Sequence, residues 1–237
     1  MWQPGGVTAG RLALVVTAVA LAASFGGPAT GSLRQGRTFS PHVDNPWFPL
    51  RPGSTLVYRG VKDGNPSRDV VQVTSDTRTI AGARCIAVSD RLYLSGRLGE
   101  RTTDWYSQDG RGNVWYFGEQ TAELDANGRV TSREGTWQAG RDGARAGIFM
   151  PARPTVGFAA RQEYYKGHAE DRFSVLSLRA SVKTPAASSH RALLTKETTR
   201  LEPGVVDHKY YIRGIGTVLE QTVRGGDERN TLLSFKR

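Results

Sequence analysis

The stretch Asp104-Trp-Tyr-Ser-Gln-Asp-Gly-Arg-Gly-Asn-Val-Trp-Tyr-Phe-Gly-Glu119 decides the fold class. Two runs rich in aromatic residues flank Asp109-Gly-Arg-Gly112, a group of turn formers. That is the signature of a β-hairpin. Take Gly110-Arg111 as a two-residue loop, with glycine supplying the positive φ of a type II′ turn. Gln108 then faces Asn113, Tyr106 faces Trp115, and Asp104 faces Phe117. Asp104, Tyr106, Trp115, Phe117 and Glu119 share one face; Thr103, Trp105, Ser107, Val114 and Tyr116 share the other. Neither face is wholly apolar or wholly polar. Aromatic cross-strand pairs brace a hairpin by roughly 0.2–1 kcal/mol each, which accounts for the stretch structurally. The functional alternative is that two acids set among aromatics line a half-buried concave surface.

Outward from this hairpin the chain repeats the same grammar. Strand-like runs fall at 55–59, 70–75, 84–94, 100–108, 113–119, 129–136, 161–166, 173–178, 191–198, 206–213, 217–223 and 231–235. Turn signals separate them: Asp63-Gly-Asn65, Ala81-Gly82, Asp109-Gly110, Asn127-Gly128 and Gly225-Gly-Asp227. No segment past residue 26 carries an apolar stripe at helical spacing, and no fixed-period repeat points to a propeller. The expectation is an all-β antiparallel meander forming a curved sheet, half-barrel or barrel of about 10–12 strands, since closure removes exposed edges. Residues 144–156 interrupt the pattern. Pro151 and Pro154 exclude a central strand, so this segment reads as a loop across one end. Its Ile148, Phe149 and Met150 cap a core or line an opening.

The N-terminus reads as a secretory signal peptide. Arg11 precedes the apolar run Leu12–Ala23, which gives way to small residues. The run is shorter than the roughly 20 residues of a membrane-spanning helix. The expected division is a signal peptide over 1–22, a Gly/Ser/Thr-rich tether over 23–38 and one β domain over 39–237. That places the protein outside the cytoplasmic membrane, secreted or in the cell envelope.

The chain carries a formal net charge of +10, and loss of Arg11 with the signal peptide lowers it by one. Arginine outnumbers lysine by 26 to 6, a skew that reads as a GC-rich genome. The charge favours anionic partners, among them envelope polymers and lipid headgroups; export argues against nucleic acid. Cys85 is the single cysteine. It permits no internal disulfide and reads as a small buried hydrophobe.

Two further stretches hold candidate functional residues. In Arg161-Gln-Glu-Tyr-Tyr-Lys-Gly-His-Ala-Glu-Asp171, extended geometry divides Tyr164, His168 and Glu170 from Glu163, Tyr165 and Asp171. His168 and Glu170, joined by the distant Asp207-His208, have the chemistry of metal ligands. Nothing in the sequence shows that they meet, so no metal and no cofactor is expected. In Glu202-Pro-Gly-Val-Val-Asp-His-Lys-Tyr-Tyr-Ile-Arg-Gly-Ile-Gly-Thr-Val218, Pro203-Gly204 marks a turn, and Gly214 and Gly216 mark a tight strand link. No phosphate loop and no nucleophile elbow occurs in the sequence.

Residues 45–58, Asn-Pro-Trp-Phe-Pro-Leu-Arg-Pro-Gly-Ser-Thr-Leu-Val-Tyr, resemble the first-strand entry of secreted bacterial β-proteins. Stretches 104–119, 161–171 and 202–218 together resemble a family of uncharacterised exported β-proteins. More weakly, Thr184-Pro185 followed by Tyr210-Tyr211 and Gly214-x-Gly-x-Val218 is similar to the last strands of envelope lipoprotein half-barrels. That resemblance implies a curved sheet around an apolar cavity. A lipid-anchoring cysteine is missing.

The function expected from these readings is non-enzymatic binding of a lipid or other small apolar or amphipathic ligand in the sheet's cavity. Asp104, Tyr106, Trp115, Phe117, Glu119, Glu163, Tyr165, His168, His208 and Tyr210 are the candidate ligand-binding residues. One alternative is a basic surface or structural module docking on an anionic envelope polymer. The other is a secreted hydrolase using Glu119 with Asp104 or Glu163, which needs two carboxyls about 5–9.5 Å apart.

Overall fold

The computed structural model describes residues 38–237. The expected signal peptide, and all of the expected tether but its last residue, lie outside the described residues. Within them the secondary structure is β. The first strands are β1 (Phe39–Ser40), β2 (Thr55–Lys62), β3 (Asn65–Ile80), β4 (Ala83–Leu94), β5 (Arg97–Asp109) and β6 (Val114–Leu124). Short pieces follow: β7 (Val130–Ser132), β8 (Trp137–Gln138), β9 (Arg145–Met150), β10 (Ala159–Arg161) and β11 (Glu163–Tyr164). Long strands then resume with β12 (Arg172–Lys183), β13 (Ser188–Thr198), β14 (Val206–Ile212), β15 (Gly216–Arg224) and β16 (Arg229–Lys236).

All sixteen belong to one antiparallel sheet nearly closed into a barrel. Five have only two or three residues, so the long strands alone match the expected meander. Its spatial order is β10-β12-β13-β14-β15-β16-β2-β3-β4-β5-β6-β9-β11. The last strand, β16, pairs with β2 and joins the two halves of the chain. Two-residue turns connect β2–β3, β3–β4 and β4–β5. Each places a residue and then a glycine at positive φ: Asp63-Gly64, Ala81-Gly82 and Ser95-Gly96. That is the type I′ geometry that matches strand twist.

The two ends of the sheet meet at a seam. β10 leads into β11 through the single residue Gln162, and β11 pairs with β9. A Cβ on Gly147 of β9 would lie 2.3 Å from the Arg161 carbonyl oxygen, so this close approach requires glycine.

The stretch Asn45-Pro-Trp-Phe-Pro-Leu50 plugs one end of the barrel. Asn45 is buried; its side-chain amide donates to the Gly112 and Pro151 carbonyls, and its Oδ1 accepts from the Trp47 N–H. On the opposite side the Gly214 N–H donates to the Pro46 carbonyl, and Arg213 lies over the Trp47 ring. The plug therefore spans the barrel, and Val43, Trp47 and Leu50 join the main core.

Two expectations are corrected. Residues 145–150, read as loop, form β9, which pairs with both β6 and β11. The prolines that argued against a strand, Pro151 and Pro154, lie just beyond its end. The hairpin register also differs. Gln108 pairs with Val114, Ser107 with Trp115, Tyr106 with Tyr116 and Asp104 with Glu119. The cause is the turn. Asp109 Oδ1 accepts from the backbone N–H groups of Arg111 and Asn113, which lengthens the loop, and the strands slip once more before Gly118, whose φ is 156°. Tyr116 thereby changes faces and joins Tyr106 and Asp104, with the two tyrosine rings stacked 4.8 Å apart.

Candidate functional site

Alternation along the strands builds the interior. On β4, Val88, Asp90 and Leu92 point inward, and on β3 so do Asp69, Val71 and Val73. Each strand thus combines apolar residues toward the plug with an ionisable residue further along. Two contiguous cavities result. The first, about 150 Å³, is mainly apolar and is lined by Phe48, Leu56, Tyr58, Val71, Phe149 and Ile215 among others. The second, about 290 Å³, is mainly polar. Asp69, Asp90, Asp104, Tyr106, Phe149, Lys209, Glu220 and Asn230 border both. A water needs only about 10–15 Å³ on this scale, so the space is large enough for an organic group.

The polar cavity is ringed by charge. β3 supplies Asp69, β4 Asp90, β5 Glu100 and Asp104, β6 Glu119, and β11 Glu163. Asp171 precedes β12, β13 supplies Glu197, β15 Glu220, and Glu228 precedes β16. Against these ten acids stand two cations, Lys62 and Lys209, and no arginine. Lys209 Nζ lies 3.0 Å from Glu197 Oε2 and 3.2 Å from Glu220 Oε1. Lys62 Nζ lies 3.8 Å from Glu100 Oε2.

The surplus of acid is met partly by protons. Burial pushes the Asp104 carboxyl up to about 7, with the charges of Asp90 and Glu100 adding and the Tyr116 hydrogen bond opposing. Burial also raises Asp171 to about 6 and Glu228 to about 7. It holds Asp69, Glu119 and Glu163 well above the usual carboxylate range. The geometry agrees: Tyr116 Oη lies 2.5 Å from Asp104 Oδ1 and 3.0 Å from Glu119 Oε2. A phenol has one proton to donate, so for both contacts to be hydrogen bonds one carboxyl must be the protonated donor.

A pH dependence follows. An acid whose folded pKa is raised contributes its full stability below the unfolded value, near pH 4. That contribution is lost as the pH rises through the folded value. With Asp171 at about 6 and Asp104 and Glu228 at about 7, the loss extends from about pH 4 to pH 8. The protein is therefore expected to melt about 5 °C or more higher at pH 5 than at pH 8, as read by thermal unfolding at constant ionic strength. Equal or lower melting at pH 5 would show that the acids are ionised without cost.

The structure disperses the candidate residues. Asp104, Tyr106, Glu119 and Glu163 line the polar cavity. Tyr165 borders a separate outer pocket with Arg78, Trp105 and Trp137, which Glu119 also reaches. Trp115 donates its indole N–H to Asp109 Oδ2 and contacts Phe39, outside both cavities. Phe117 is fully buried against Phe39. His168 stacks on Tyr165, with Nδ1 3.3 Å from Glu134 Oε1. His208 lies out of phase with the inward Lys209, and Tyr210 packs on a satellite core around Val182, Ala192 and Val218. His168, Glu170, Asp207 and His208 do not converge; among the described residues no group of three or more His, Cys, Asp or Glu could hold a metal ion. Cys85 is fully buried, and burial pushes its thiol up to about 12.

Sequence reading did not find Lys62, Asp69, Asp90, Glu100, Asp171, Glu197, Lys209, Glu220 or Glu228 as parts of one site. The available signal was phase: Ile86-x-Val-x-Asp90-x-Leu places one acid among apolar residues of equal parity. Glu163 Oε2, Asp69 Oδ1 and Trp137 Nε1 are buried without a partner in hydrogen-bond geometry. Of the acids named for hydrolysis, Asp104 and Glu119 both contact the Tyr116 oxygen, and Glu163 lines the same polar cavity.

No family model and no curated protein matches the chain. Two solved structures are similar to it. One is a candidate exported protein with a YmcC-like fold from Bacteroides fragilis, 14% identical, with TM-score 0.46, covering 81% of this chain and 99% of that chain. The other is a candidate lipoprotein from Parabacteroides distasonis, 11% identical, with TM-score 0.41, covering 80% of this chain and 98% of that chain.

Proposed function

We propose that this protein works outside the cytoplasmic membrane as a non-enzymatic carrier or receptor of a small amphipathic ligand held inside its barrel. The observation that carries this reading is the continuity of an apolar cavity with a polar one, the two sharing Asp104, Tyr106 and Phe149. An apolar pocket with a few convergent polar groups is the usual form of a small-molecule site. The location rests on the apolar run after Arg11.

Native mass spectrometry of the mature protein, secreted by its own host and purified without detergent, tests the reading. The expected result is an added mass in the lipid or metabolite range. A bare polypeptide mass, unchanged after incubation with medium-chain amphiphiles, would overturn it.

A second reading has one observation in its favour. The net charge is +10 although the interior belt holds ten acids against two lysines. The exterior is therefore more basic than the net value states, which suits docking on an anionic envelope polymer. Such docking would weaken steeply as salt rises.

A further inference from the structure

The acid belt has too few cations of its own. Lys209 is shared between Glu197 and Glu220, and Lys62 between Glu100, at 3.8 Å, and the charge of Glu228. Glu163 is 7% exposed, lines the polar space and leaves Oε2 without a donor in hydrogen-bond geometry. The neighbouring Trp137 indole does not meet hydrogen-bond geometry either, and a carboxylate accepts more than one donor. Asp69, on the border between the two cavities, shares a hydrogen bond between carboxyls with Asp90, and its Oδ1 has no other donor. Buried oxygens of this kind are costly unless a donor reaches them.

Two features decide which donor fits. Among the described residues no three of the carboxyls converge as metal ligands would, so the belt suits an organic cation better than a bare metal ion. The polar space also opens directly onto the apolar one at Phe149. We propose that the ligand is an amine-bearing amphiphile, its ammonium held among the acids of the polar cavity, against Glu163, and its hydrocarbon lying toward Phe48 and the plug. An ammonium carries three donors and no acceptor, the complement of unpaired carboxylate oxygens. This inference rests on the ligand-binding reading and names the ligand's charge.

The test is calorimetric titration of the mature protein at pH 7.5 with three ten-carbon probes below their micellar concentrations: decylammonium, 1-decanol and decanoate. Decylammonium is expected to bind at least about tenfold more tightly than decanol, a difference of roughly 1.4 kcal/mol, and decanoate not to bind. E163Q is expected to weaken decylammonium binding about tenfold and D69N, which removes a further acid of the belt, to weaken it by a smaller factor, both leaving decanol binding unchanged. Both changes keep the shape of the side chain while removing a carboxyl that could give up its proton to solvent and face the ammonium as an anion, so two independent folded variants report. Equal affinities for decylammonium and decanol would overturn the inference and leave the ligand-binding reading standing. Tighter binding of decanoate would do the same. Binding of none of the three, with a bare mass in native spectrometry, would overturn both.

Discussion

Lys209→Met is expected to cost about 3 kcal/mol of folding stability at pH 8, lowering the melting temperature by about 6–12 °C. The Lys209 ammonium lies between Glu197 and Glu220 at 3.0 and 3.2 Å, and its side chain is 20% exposed. Methionine conserves much of the stem and removes the charge. Two carboxyls then lose their shared counter-charge inside a belt that already holds an excess of acid. Breaking a buried ion pair from one side costs more than the pair contributes, because the remaining charge keeps its desolvation cost. The same variant should lose less at pH 5. Burial raises the Glu220 carboxyl, so it takes up a proton when the lysine is gone. A loss below about 1 kcal/mol at pH 8 would mean that water within the cavity already screens the pair.

Gly60→Ala is expected to prevent the sheet from closing. A Cβ at this position would lie 1.5 Å from the Arg229 carbonyl oxygen and 2.6 Å from its carbon. No flexible side chain can yield there; backbone must move. The backbone in question is β16, which pairs Asn230 with Gly60 and Leu232 with Tyr58. Forcing these strands apart breaks the ladder that joins the two halves of the barrel. The expected cost is above about 4 kcal/mol, in the range reserved for backbone displacement or gross overpacking, and secretion yield should fall accordingly. Gly110→Ala is the control, since nothing lies within 4 Å of its Cβ position. It should melt within about 2 °C of the parent. Parallel behaviour of the two variants would show that the β2–β16 contact is not needed for folding.

The strands and their turns were legible because they are written locally. Asp63-Gly64 and Ala81-Gly82 are turn signals in two residues, and the structure places both at positive φ. The hairpin register was not legible. It depends on whether the Asp109 carboxylate captures the N–H groups of Arg111 and Asn113, and glycine content alone did not decide between loop lengths. Strand β9 was obscured by Pro151, which ends it and does not interrupt it. The acid belt was hidden for another reason. Asp69, Asp90, Glu197 and Glu220 stand on four different strands, separated by tens of residues. Only a sheet curved back on itself brings them to one level. Of the candidate residues, those in the quoted hairpin reached the interior in part, since the slip that moved Tyr116 inward carried Trp115 to the other face.

The position of β16 sets the order in which the molecule can assemble. Without it the sheet order splits into two pieces, one ending at β15 and the other beginning at β2. Strands β2 to β6 need only their sequence neighbours and can pair early. The β2–β16 ladder joins residues more than 160 positions apart, as in Lys236 with Thr55, and such non-local pairing is slow. A chain emerging from its N-terminal end therefore stays an open ribbon, its carboxylates hydrated, until its final strand arrives. Desolvation of the belt and closure of the barrel are then one late event.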